Sequence, residues 1–151
     1  MFQLPFPVHD VNASSGSKDL GDLPEWDLSD LYNSQDAPEL SRDLQWLDQE
    51  CASFAADYEG KLAHLDAEEM LNCVLRNERI NTIAGRIMSF AGLRYYQLTV
   101  DSDRTKFMSD MQEKITDFTT PLVFFTLELN RIDDAALQAL LNANDSLARY
   151  Q

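Results

Sequence analysis

Apolar residues recur at steps of three and four along most of this chain. The first such run is Leu40, Leu44, Leu47, Cys51, Phe54 and Tyr58, the inward stripe of one amphipathic helix. Asp36-Ala37-Pro38-Glu39 precedes it as a start signal: Asp36 caps, Pro38 suits the first turn and Glu39 reaches back, while Gly60 supplies the stop. A second start, Asp66-Ala67-Glu68-Glu69, opens a longer stripe of Met70, Leu71 and Val74 that crosses the polar Arg76-Asn77-Glu78-Arg79. It resumes at Ile80, Ile83, Ala84, Ile87, Phe90 and Ala91. Gly85, Ser89 and Gly92 share one side of that helix. Because glycine costs about 1 kcal/mol in a helix relative to alanine, they predict a groove that another helix approaches closely. Residues 93–100 contain Tyr95, Tyr96, Thr99 and Val100, which also suit a strand; they are read as more helix.

Asp101-Ser102-Asp103 restarts the pattern, and Phe107, Met111, Ile115, Phe118, Leu122, Phe125 and Leu129 form a third stripe, with Pro121 expected to kink it. Asp133-Asp134 opens a fourth helix carrying Leu137, Leu140 and Leu141. A turn at residues 142–145 then leads into a fifth that stops within its second turn, which reads as a cut chain. The predicted fold is therefore all-α: antiparallel helical hairpins or a bundle, ending in an incomplete helix. In the first hairpin, a turn near Lys61–His64 would set Cys51 level with Cys73 and Val74. The Pro-, Gly- and Ser-rich residues 1–22 read as a flexible leader, leaving residues 23–151 as one domain. At its front, Leu23-Pro24-Glu25-Trp26-Asp27-Leu28-Ser29-Asp30-Leu31-Tyr32 is an apolar plug, expected to bury Trp26, Leu28, Leu31 and Tyr32 against the helices.

Charge narrows the function. With 26 Asp+Glu against 12 Lys+Arg the chain carries a net charge of -14, a field that repels phosphate backbones and argues against nucleic acid as a partner. Met1-Phe2-Gln3-Leu4-Pro5-Phe6-Pro7 lacks the basic start of a secretory signal. The apolar run from Leu122 to Leu129 is too short and too interrupted to span a bilayer. Cys51 and Cys73 form no disulfide framework, and a reduced, cytoplasmic setting fits best.

Candidate chemistry is sparse. His9 lies in the leader and His64 in an inter-helix turn, with no H-E-x-x-H, so neither is a credible metal ligand. Cys51 and Cys73 fall among apolar helix residues, where cysteine packs as a small hydrophobe. Phosphate-cradle and hydrolase-elbow motifs are missing as well. The residues therefore supply no catalytic, cofactor-binding or metal site.

Order, however, carries a signal. Trp26-Asp27-Leu28-Ser29-Asp30-Leu31-Tyr32 at the front of an acidic helical chain resembles the opening of oligoendopeptidase F, a branch of the thimet-oligopeptidase-like zinc metallopeptidases. Arg86 to Tyr95, Asp101-Ser102-Asp103, Phe124 to Asn130 with Ile132-Asp133-Asp134, and Asp145 to Tyr150 resemble successive segments of the same family, in the same order. The resemblance implies an N-terminal helical domain forming one wall of a substrate channel. It implies zinc in a catalytic domain absent from this chain, and as partners oligopeptide substrates and that catalytic domain. No residue here matches the zinc motif, so no catalytic role is carried over, and these 151 residues alone are expected to be inactive. The alternative is a free-standing acidic helical interaction module.

Overall fold

In a computed structural model, residues 25–150 are described, and they contain helices and turns and no strand; the class is all-α. The expected leader at residues 1–22, and Leu23 and Pro24 at the front of the expected plug, lie outside the described residues.

Helix α1 spans Pro38–Tyr58 and turns Leu40, Leu47, Cys51 and Phe54 inward. Its start differs from the expected capping box. Ala37 occupies the cap position without a side-chain bond, and the entry is set by an Ala37 N–H to Ser34 C=O turn and by Pro38, whose fixed φ is already helical. The end follows expectation: Glu59 N–H bonds back to Ala55 C=O, and Gly60 takes φ +78°, a left-handed conformation that a Cβ would disfavour. A 3-10 turn at Leu62–His64 then buries Leu62.

Helix α2, Ala67–Gln97, is opened by a complete capping box. Asp66 accepts from the N–H groups of Glu68 and Glu69 (both 2.9 Å), and the Glu69 carboxylate accepts from Asp66 N–H at 3.0 Å. Its 31 residues reach about 46 Å at 1.5 Å per residue, far longer than α1, so its C-terminal part projects past the start of α1. Side-chain pairs between the two run in opposite order: Asp43 with Arg86, Trp46 with Arg79, Glu50 with Arg76.

The small-residue groove is corrected. Gly85 and Ser89 face solvent, and a Cβ added at Gly85 or Gly92 would meet nothing within 4 Å, so no helix makes a close approach there. The helical reading of residues 93–100 holds to Gln97. Leu98 N–H then bonds to Tyr95 C=O in a tighter turn, and Val100 is left exposed.

Helix α3, Ser102–Thr119, is capped by Asp101, which accepts from Asp103 N–H at 2.9 Å and Arg104 N–H at 3.1 Å. Pro121 does more than kink the third stripe. The chain passes through a 3-10 turn at Thr120–Leu122 and restarts as α4, Val123–Leu129. A 3-10 residue advances about 120° rather than 100°, so three of them rotate the following face by roughly 60°. Phe124 thereby joins Phe125 against Phe54, with ring centroids 6.0 and 5.9 Å away, and is the more buried of the two. Helix α5, Asp134–Ala143, is capped by Asp133, and the short α6, Asp145–Ala148, by Asn144, burying Leu147.

The plug is real, but its anchor is Tyr32. Tyr32 is buried and meets Phe90 edge-on at 5.3 Å, while its hydroxyl donates to Asp43 at 2.6 Å. Leu28 and Leu31 pack beside it. Trp26 is 64% exposed, contrary to expectation, and is held through its backbone: the Gln97 side-chain amide donates to its carbonyl at 3.1 Å.

Candidate functional site

Of the residues weighed for chemistry, His9 lies outside the described residues and His64 is exposed in the 3-10 turn. Cys51 and Cys73 are free and buried. Burial pushes the Cys51 thiol up to about 11 and the Cys73 thiol up to about 12, because an apolar interior disfavours the thiolate. Among the described residues no group of three or more His, Cys, Asp or Glu is arranged to hold a metal ion.

Polar organisation instead centres on the arginines of α2. Arg76 donates to Glu50 at 2.7 Å and to Asp57 at 2.8 Å while its guanidinium lies over the Phe54 and Tyr58 rings. The hydrogen bond from Arg76 holds Asp57 below the usual carboxylate range. Arg86 donates to the Leu31 carbonyl, pairs with Asp43 at 3.5 Å and stacks 4.4 Å from the Tyr32 ring centroid. Both are satisfied, and both fasten α2 to what lies over it.

Arg94 breaks the series. Continuing the antiparallel order past the start of α1 brings it opposite the 25–33 segment, where no helix presents a carboxylate. Its guanidinium carbon sits 5.7 Å from the Phe90 centroid, and its Nε is buried without a hydrogen-bond partner. Leaving such a donor unpaired costs on the order of 1–3 kcal/mol. Among the described residues no acidic group lies within ion-pair distance of Arg94, in a chain with 26 carboxylates to 12 cations.

Beside it is a cavity of about 240 Å³ between the plug, the end of α2 and the start of α3, lined by Arg94, Arg104, Gln97, Asn33, Trp26 and Phe90 among others. Arg104 is held at its edge, donating to the Arg94 carbonyl and to the Gln97 side-chain oxygen, both at 3.2 Å. Gln97 passes the chain of bonds on to the Trp26 carbonyl. Sequence reading passed over this site. The available signal was an arginine on α2 beyond the reach of the α1 carboxylates, and it becomes visible only once the relative lengths of the two helices are known.

Comparison with protein-family models, with curated proteins and with solved structures yields no match.

Proposed function

We propose that the chain is the N-terminal, channel-wall helical domain of a zinc-dependent metalloendopeptidase of the oligoendopeptidase F type, a cytoplasmic enzyme that hydrolyses oligopeptides. The observation that carries the reading is the ordered series of resembling segments. They fall in chain order on the plug, the second half of α2, the cap of α3, α4 with the turn after it, and α6. An all-α body agrees with the reading. In it, zinc and the water-activating glutamate belong to a separate catalytic domain, and these residues supply wall and shape rather than chemistry.

The test is the open reading frame downstream of Gln151. It should encode H-E-x-x-H, and the complete product should cleave a quenched fluorescent oligopeptide, lose activity to a chelator and regain it with zinc. A complete product without that motif and without peptidase activity overturns the proposal. A second reading, an acidic helical interaction module, draws on the exposed Trp26, Tyr96 and Val100 around the end of α2. It predicts instead a complete product that binds protein and cleaves nothing.

A further inference from the structure

We propose that the apolar start of the chain, residues 2–8, docks on the exposed apolar side chains at the C-terminal end of α2 and covers them. The inference concerns this chain alone and does not depend on the peptidase reading.

Trp26, Tyr96, Leu98 and Val100 are 64, 71, 45 and 87% exposed, half of the large apolar side chains left open among the described residues. They belong to one place. The Gln97 side-chain amide donates to the Trp26 carbonyl, and Tyr96 and Leu98 flank Gln97. Val100 lies inside the turn closed by Asp101 N–H on the Leu98 carbonyl. Single exposed apolar residues are ordinary on a protein surface, whereas a group of them marks a surface that something covers.

The chain itself carries a segment that fits. Phe2, Leu4, Phe6 and Val8 alternate strictly with Gln3, Pro5, Pro7 and His9. Pro5 and Pro7 bias the residues before them, Leu4 and Phe6, toward extended backbone, and alternate residues of an extended segment share one face. Four apolar side chains are thereby available to a single surface. The described residues begin at Glu25, one position before Trp26, so the leader joins the body at this very end of α2. Residues 9–24 span at most about 55 Å when fully extended, ample for residues 2–8 to turn back onto it.

Charge and tethering select this occupant over a second copy. Two chains of net charge -14 repel each other, while residues 1–9 hold no Asp or Glu. A tethered segment also acts at an effective concentration of millimolar order, so a contact too weak to pair separate chains can still close within one.

The experiment uses the full 151-residue chain with Gln3→Cys carrying a nitroxide; Cys51 and Cys73 are buried and stay unlabelled. Broadening of NMR signals is then read across the helices. Strong broadening is expected at the amides of Tyr96, Leu98 and Val100 and at the Trp26 indole, and it should be lost when Phe2→Ser and Phe6→Ser are added. Val100→Ser, at an exposed position where replacement leaves the helices intact, should weaken it from the other side. Broadening that is the same with and without the two Phe→Ser changes reflects the tether alone and overturns the proposal. So does broadening of these residues in an isotopically enriched copy without nitroxide, mixed with the labelled chain, which would place the segment on a second molecule.

Discussion

Cys51 and Cys73 are two groups whose chemistry burial changes strongly. A free thiol ionises near 8.5, and these are raised to about 11 and about 12 by burial between α1 and the helices packed on it. At pH 8 their thiolate populations fall by roughly a hundredfold or more from that of an exposed cysteine, before any steric protection. Both should therefore resist iodoacetamide in the native chain and react fully once urea unfolds it. Rapid labelling of either under native conditions would contradict the burial. Their inertness could be anticipated from their places in apolar stripes, but the choice between the two plug aromatics could not. Trp26 and Tyr32 lie in a segment without periodicity, where hydrophobicity favours the tryptophan. What selects Tyr32 is a hydroxyl partner on α1, Asp43, and a stacking cation on α2, Arg86. Neither is visible until two distant helices are placed. Arg94 escaped notice for the same reason, since a missing partner can be recognised only when the neighbours are known.

At the scale of elements, start signals of similar wording have different physical content. Asp66 satisfies two backbone donors and its own N–H is answered by Glu69, whereas the start of α1 is made by Pro38 and a preceding turn, with Asp36 left exposed. Asp66→Ala should accordingly lower unfolding free energy by about 1 kcal/mol, the usual worth of an N-cap, and Asp36→Ala by less than about 0.5 kcal/mol. Urea denaturation of both variants measures the difference, and equal losses would mean that α1 is capped by Asp36 after all. Helix existence was legible because a stripe needs only sequence spacing. Interruptions were less so: Pro121 signals a disturbance, but whether the helix bends or breaks depends on whether Phe124 gains more by rotating onto Phe54 than the broken backbone loses. The exposed Gly85 shows the opposite error, a sequence cue for close packing that no neighbouring helix takes up.

Across the whole molecule the dominant electrostatic fact is the charge of -14, and its balance against the ion pairs sets the response to salt. The cross-helix pairs are short-range and partly solvated; the best of them, Arg76 with Glu50, has side chains 30% and 22% exposed, and pairs of this kind are worth little individually. Repulsion among unpaired carboxylates is long-range and sums over the surface, so it is what salt screens most effectively as the Debye length shrinks from about 30 Å at 0.01 M to about 8 Å at 0.15 M. Sodium chloride should thus stabilise the fold, raising Tm by several degrees over that interval, given that about 1 kcal/mol moves a chain of this size by roughly 2–4 °C. Mild acid acts at first in the same direction by discharging unpaired carboxylates. Asp57 has the opposite sign: its folded pKa is depressed by Arg76, so its contribution is present above the unfolded value of 3.8 and is lost as pH falls through the lower folded one. Arg76→Ala separates the two effects. It should lower Tm at every salt concentration yet keep the upward slope, since the repulsion does not depend on that side chain. A Tm that falls with salt in the parent chain and levels off in Arg76→Ala would show instead that the ion-pair network outweighs the repulsion.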